Sequence, residues 1–390
     1  MSQQVPTTSP VAVIGAGPAG LAAAAALRAK GVDAVVLERA DDVASSWRNH
    51  YDRLHLHTVR WLSGLPGMAM PRSEGSWVSR DGVVRYLEAY AAHHRLDIRT
   101  GVTVERVERN ERGWLLRSPQ GDVHAGAVVV ATGYNHTPVM PDVPGIDDFT
   151  GELLHASRYR NGKPYAGRDV LVVGPGNTGA EISVDLTEHG AGRVRLAVRT
   201  PPHILRRAVG PIPTQATSVL LRRVPTAIGD ALAEVTRKLQ VPDLSAYGLD
   251  DPGKGVITRA RRGEIPILDV GLVDAVLAGK VEPVAALAGF EGDKVLLADS
   301  TTIVPDAVIV AAGYRRGLEP LVGHLGVLDV AGNPVVSGTA TPDGAPNLHF
   351  IGYSNPISGM FREIAIDAKR IAKKLSNQLA MAPRSEGMSR

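Results

Sequence analysis

The sequence predicts an α/β chain of two doubly wound, parallel-sheet domains, the first interrupted by the second. Three observations carry this. A unit of apolar strand, glycine-rich turn, helix and second apolar strand occurs twice, with Gly15 of one and Gly174 of the other 159 positions apart. A further echo, Ala131-Thr132-Gly133-Tyr134 against Ala312-Gly313-Tyr314, closes one apolar strand after each unit. At 390 residues the chain has room for two or three domains, each with its own core.

The elements follow in order. Val11–Ile14 is a strand, Leu21–Leu27 lies in an alanine-rich helix, and VDAVVLERA supplies the second strand. Val83–His94 reads as a helix; Val102–Val107, Trp114–Arg117 and Ala127–Ala131 read as strands. The second unit runs from DVLVVGPGNTG at Asp169 through AEISVDLTEHG to RVRLAVRT. Residues 201–265 read as irregular and rich in Arg and Pro, with one helix around Ile228–Leu239. Ala307–Ala311 is a buried strand, and its closing echo suggests a return to the first domain. Leu348–Gly352 is the last strand. Gly359–Leu379 is the last helix, with Ile364, Ala368, Ile371 and Leu375 on one face opposite Lys369, Lys373 and Lys374.

Composition removes several functions. The absence of cysteine excludes disulfides, Cys-ligated zinc or iron–sulfur centres, a thiol nucleophile and a dithiol relay. With 43 Lys+Arg against 40 Asp+Glu, dispersed along the chain, nucleic acid is not an expected partner. The start, MSQQVPTTSP, carries no secretory pattern, and no apolar run approaches the length of an integral membrane segment. A cytoplasmic protein is expected. His55 and His57 lack a third ligand, so no metal site is expected.

In the first unit Gly15, Gly17 and Gly20 follow a strand and open a helix through Pro18 and Ala19; Glu38 ends the next strand 18 residues after Gly20. Gly15 allows the tight turn, Gly17 the approach of a pyrophosphate, Gly20 close helix–strand packing, and Glu38 can accept ribose hydroxyls. In the second unit Gly174, Gly176 and Gly179 are followed, 20 residues after Gly179, by Arg199. A guanidinium binds a 2′-phosphate that a carboxylate would repel. Asn177 and Thr178 can meet the pyrophosphate through their backbone. Two Rossmann-like dinucleotide-binding domains in one chain imply that a nicotinamide passes hydride to a resident flavin: FAD in the first, NADPH in the second. The expected boundaries are 9–158 and 303–380 for the two parts of the FAD domain, 167–302 for the NADP domain, and a disordered tail at 381–390.

The stretch from Phe149 through Gly151 and His155 to Tyr159 matches F-x-G-x-x-x-H-x-x-x-Y, so the chain resembles the flavin-containing monooxygenase family of class B flavoprotein monooxygenases. Within it, LERADDVASSW (Leu37–Trp47), YDRLHLH (Tyr51–His57), YGLDDP (Tyr247–Pro252), PILDVG (Pro266–Gly271) and the GYSNPISGM segment from Gly352 are similar to the YUCCA group. The resemblance implies an NADPH- and O2-dependent reaction through an oxygen adduct at flavin C4a, on a 2-oxo acid or other carbonyl, or on an amine or sulfide. It implies that Arg39, Trp47, Thr132, Gly133, Tyr134 and Gly352 belong to the cofactor region. His57 occupies a position where many family members have Asn; an imidazole titrates near neutral pH and an amide does not. His155 is placed at the domain interface and nicotinamide end. The alternatives left open are an NADPH oxidase or a reductase for a quinone or protein partner. A homodimer is the commonest assembly for such a chain.

Overall fold

The computed structural model describes residue 5 and residues 7–111, 113–210, 212–221, 224–261, 263–354, 356 and 358–381. Of the expected tail, 381–390, only Met381 falls among these, as the end of the last helix; the rest lies outside the described residues.

The first sheet is centred on Thr8–Ile14, which pairs in parallel with Ala34–Leu37 on one side and Val123–Val130 on the other. Asp97–Arg99 extends one edge, in parallel. Leu348–Phe350 adds in parallel to the second half of Val123–Val130, while Gly113–Arg117 and Arg106–Asn110 form an antiparallel extension on its first half. The alternation along the central strand places Val11 and Val13 in one core and Ala12 and Ile14 in the other. On the first face the helix Pro18–Arg28 is buried from Ala19 to Leu27. It packs with the helix Met360–Met381, whose Ile364, Ala368, Ile371 and Leu375 are the predicted inward stripe. Short alanine side chains let these two helices and the sheet approach closely.

The second sheet is wholly parallel, in the order Glu282–Ala285, Arg193–Val198, Asp169–Val173, Ala307–Val310, Glu152–His155. This corrects the expected boundaries. Ala307–Val310 does not begin the return to the first domain, and Glu152–His155 does not end its first part; both are strands of the second sheet. The four residues Ala307–Val310 are 0 % exposed, which only a central strand covered on both faces allows. The Ala-Gly-Tyr echo therefore marks equivalent places in two domains. The crossing itself is a two-stranded ribbon in which Thr137–Pro138, outbound, pairs antiparallel with Tyr314–Arg315, returning.

Residues 201–265 are more ordered than their composition suggests. Ile204–Arg206 pairs with Ile267–Asp269, and the helices Thr214–Leu221, Thr226–Gln240 and Val256–Arg261 lie between them. Among the described residues no helix is long and apolar enough to cross a membrane.

Candidate active site

Gly15 leaves the central strand at φ +105°, and a Cβ there would stand 2.5 Å from the Ala131 carbonyl oxygen. A Cβ on Gly20 would stand 1.8 Å from the Gly15 oxygen. Gly17 differs: its Cβ direction meets nothing within 4 Å, which leaves space for a ligand against the backbone. Pro18 opens the helix and no side chain caps it, so the amides of Ala19 and Gly20, ahead of the first Leu21-to-Gly17 bond, are available to an anion. Glu38 is buried and ties the loop together, its carboxylate accepting from Ala16 N–H at 2.6 Å and Ala40 N–H at 3.0 Å.

The C-terminal segment closes on this cradle from the other side. Gly352, at φ +84°, passes so near that a Cβ would lie 3.0 Å from Ala19 Cβ. The Tyr353 hydroxyl meets the Thr132 N–H at 3.2 Å and Oγ1 at 2.8 Å, and burial pushes its pKa up to about 12. Gly133 turns at φ +101°; the Tyr134 ring carries the Arg316 guanidinium 3.2 Å from its centroid. Trp47 is packed against the cores of both domains, edge-on to Phe361. Arg39 reaches away, to His136 at 3.0 Å.

The second cradle repeats the first. Gly174 turns at φ +107° with its Cβ direction 2.7 Å from the Ala311 oxygen, Gly179 would clash with the Gly174 oxygen at 1.9 Å, and Gly176 faces open space. Asn177 spends its side chain on the neighbouring segment, accepting from Leu268 N–H at 2.8 Å and donating to Pro266 O at 3.2 Å, so only its backbone remains for a ligand. Arg199 follows the strand next to this turn, at the carboxyl ends where such sheets bind ligands. It is exposed on a cleft of about 800 Å³ and makes no ion pair among the described residues, whereas Arg193 and Arg195 in the same cleft are bound to Glu282 and Asp169. Both cradles have the shape and the free amides that a dinucleotide pyrophosphate needs.

Between them runs the segment 49–59. Tyr51 and Leu54 sit in the second domain's core and Leu56 in the first's. Arg53 grips Glu188 with two nitrogens at 2.8 Å each. The segment delivers His57 to the second cradle's helix, Asn177–Glu188, where Nε2 stands 2.7 Å from Glu181 Oε1. His155 is held differently: Nδ1 accepts from Ser157 N–H at 3.0 Å, so Nε2 carries the proton and donates to Gly313 O at 3.2 Å. Burial lowers its pKa, against the pull of the Gly313 carbonyl. Both nitrogens are engaged, and His155 pins the end of one second-sheet strand to the turn after another. The rest of its signature is also a joint. A Cβ on Gly151 would strike the Phe149 ring, Phe149 packs on Phe290, and the buried Tyr159 donates to Asp185 at 2.5 Å.

Four residues escaped the sequence reading: Glu181, Asp185, Tyr51 and Gln215. The first two lie four apart on one helix face, both at most 3 % exposed. Their spacing was visible, but His57 beside Glu181 and Tyr159 on Asp185 come from more than 20 positions away. Gln215, buried, accepts from Val59 N–H at 2.8 Å and donates to Ser358 O at 2.7 Å, so it ties the 201–265 insertion to both the His57 segment and the C-terminal closure.

The chain is also similar to known proteins. A family model described as pyridine nucleotide-disulphide oxidoreductase matches residues 12–209. An indole-3-pyruvate monooxygenase of the YUCCA group from Oryza sativa subsp. japonica is 39 % identical over 78 % of this chain and 77 % of its own. A probable indole-3-pyruvate monooxygenase from Arabidopsis thaliana is 34 % identical over 94 % of this chain and 87 % of its own. The solved flavin-containing monooxygenase from Stenotrophomonas maltophilia superposes with a TM-score of 0.74 over 96 % of this chain and all of that one, at 24 % identity.

Proposed function

The chain belongs to the class B flavin monooxygenases, oxidoreductases that use FAD and NADPH, and from that premise we propose that it oxygenates a 2-oxo acid or a closely related carbonyl compound. The observation that carries the cofactor assignment is the duplicated cradle: the same three-glycine geometry twice, with a carboxylate, Glu38, after the first and an exposed guanidinium, Arg199, after the second. Gly15–Gly20, Glu38 and the Thr132–Tyr134 turn would hold FAD; Gly174–Gly179 and Arg199 would hold NADPH. When bound, the flavin supplies two-electron chemistry toward O2 and transfer of an oxygen atom.

The protein's own residues do the rest. The amides of both helix starts bind anionic pyrophosphate. Trp47 and Phe361 wall the junction with apolar rings, and Gly352 lets the C-terminal segment close over the first cradle, which keeps water away from a reactive oxygen species. His57 stands at the junction, its Nε2 2.7 Å from Glu181 Oε1. The relatives named as indole-3-pyruvate monooxygenases support the 2-oxo acid class.

A panel of amines, sulfides, ketones and 2-oxo acids under labelled O2, with NADPH consumption and peroxide followed together, tests this. Labelled product from a 2-oxo acid, with little peroxide, is expected. Peroxide equal to NADPH consumed with every compound would leave only an oxidase.

A further inference from the structure

We infer that Arg207, held over the Trp77 ring at the junction, is the residue that binds the carboxylate of the 2-oxo acid. The inference rests on the 2-oxo acid reading and deepens it by naming the group that recognises the acid. Arg207 Cζ stands 4.3 Å from the Trp77 ring centroid. A ring at that distance steadies the cation and leaves its N–H groups free. Among the described residues the Arg207 side chain makes no hydrogen bond and no ion pair. The residue is half-buried, yet none of its side-chain nitrogens is sealed from solvent. A ligand can therefore reach them.

The place of Arg207 in the fold points to the junction. Hydrogen bonds from the His57 segment bracket Trp77, Leu56 N–H on Val78 O at 2.8 Å and Arg60 N–H on Ser76 O at 2.9 Å. The Arg207 carbonyl accepts from Thr214 N–H at 3.0 Å. The next residue, Gln215, joins Val59 to Ser358. The insertion, the His57 segment and the C-terminal closure thus converge beside this guanidinium.

Neighbouring cations are already engaged. Arg206 donates to Gln240 O at 3.1 Å, Arg53 grips Glu188, Arg60 donates to Gly75 O at 2.9 Å, and Arg362 meets Glu363 at 2.6 Å. Burial pulls the Arg207 pKa below its ordinary value; the charge of Glu181 opposes that and Arg53 adds to it. Glu181 is 3 % exposed and stands against His57, without an ion pair to Arg207. Partial loss of water with no acceptor in return leaves the guanidinium short of hydrogen bonds. A carboxylate offers two oxygens in the plane that its fork matches.

The test is titration calorimetry of the FAD-loaded enzyme with pyruvate, 4-methyl-2-oxopentanoate and phenylpyruvate, each beside its methyl ester. In the wild type at least one acid should bind roughly tenfold or more tighter than its ester. Arg207→Gln should bring that acid to within about twofold of the ester, and leave both ester affinity and the KM for NADPH within about twofold of wild type. Arg207→Lys, a point charge without the fork, should keep part of the preference. Acids that bind no tighter than esters in the wild type would overturn the assignment. So would equal losses for acid and ester in Arg207→Gln, or a raised KM for NADPH with acid affinity retained. Should Arg207→Gln fail to fold, Trp77→Leu replaces it: the acid–ester gap should narrow threefold or more, and an unchanged gap refutes the site. Binding is read without turnover, so a panel lacking oxygenated product sinks the proposed activity alone. Oxygenation of a 2-oxo acid whose affinity ignores Arg207→Gln sinks this assignment alone.

Discussion

Alanine at Gly17 separates a glycine required by the fold from one required by a ligand. The backbone at Gly17 has φ −81°, open to any residue, and a Cβ there meets no protein atom within 4 Å. Substitution therefore costs only the poorer helix cap, about 1 kcal/mol, or a fall in melting temperature of at most about 4 °C. The same methyl would intrude into the space assigned to the FAD pyrophosphate. Overpacking of that kind costs about 1–3 kcal/mol, which weakens FAD binding roughly 5- to 150-fold. Gly20→Ala is the contrasting variant. Its Cβ would stand 1.8 Å from the Gly15 oxygen, so strand and helix must part and the apoprotein itself loses about 3 kcal/mol or more. Titration of apoprotein with FAD by flavin fluorescence, beside urea unfolding of the same samples, reads both quantities. Gly17→Ala that retains FAD as tightly as the wild type would refute the placement of the pyrophosphate, and with it the reading of the first cradle.

Four further outcomes follow from the same geometry. Gly176→Ala should raise the KM for NADPH by a similar factor and leave FAD content unchanged, and Arg199→Glu should cut the preference for NADPH over NADH at least tenfold; steady-state kinetics with both carriers checks each. Gln215→Leu orphans the buried Val59 N–H and Ser358 carbonyl, at about 1–3 kcal/mol apiece, and by loosening the His57 segment should raise the peroxide fraction measured beside NADPH oxidation. His349 is fully buried, and burial lowers its pKa to about 4. Because the folded value lies below the unfolded value near 6.5, the stabilising effect is complete above pH 6.5 and is lost as pH falls toward 4. Urea unfolding at pH 7 and pH 5 should show a loss of about 2 kcal/mol from this residue alone, absent in a folded His349→Phe variant.

Much of the site was legible because its signals are local. The glycine spacings, the apolar strands before them and Glu38 or Arg199 after them lie within stretches of about 30 residues, the scale of one βαβ unit. The inward face of the last helix was legible for the same reason, since Ile364, Ala368, Ile371 and Leu375 repeat at the helical period. The Ala-Gly-Tyr echo was read correctly as a repeat and wrongly as a return. Sequence shows that two turns are alike, and only strand pairing shows that Gly15 faces Ala131 while Gly174 faces Ala311. Residues 201–265 were read as irregular because short helices such as Thr214–Leu221 are held by tertiary contacts, with little periodicity of their own.

The amino-acid order alone determined the two three-glycine turns, the carboxylate that follows one and the guanidinium that follows the other, and that the chain has no thiol of its own, since each follows from residue type at short spacing or from a count. The tertiary structure alone decided what stands between the cradles. His57, Glu181, Tyr51 and Gln215 meet there from segments far apart in the chain, through contacts of side chains whose spacing in sequence carries no periodic trace. Burial then keeps the Tyr51 hydroxyl protonated, and burial is a property of the packed molecule.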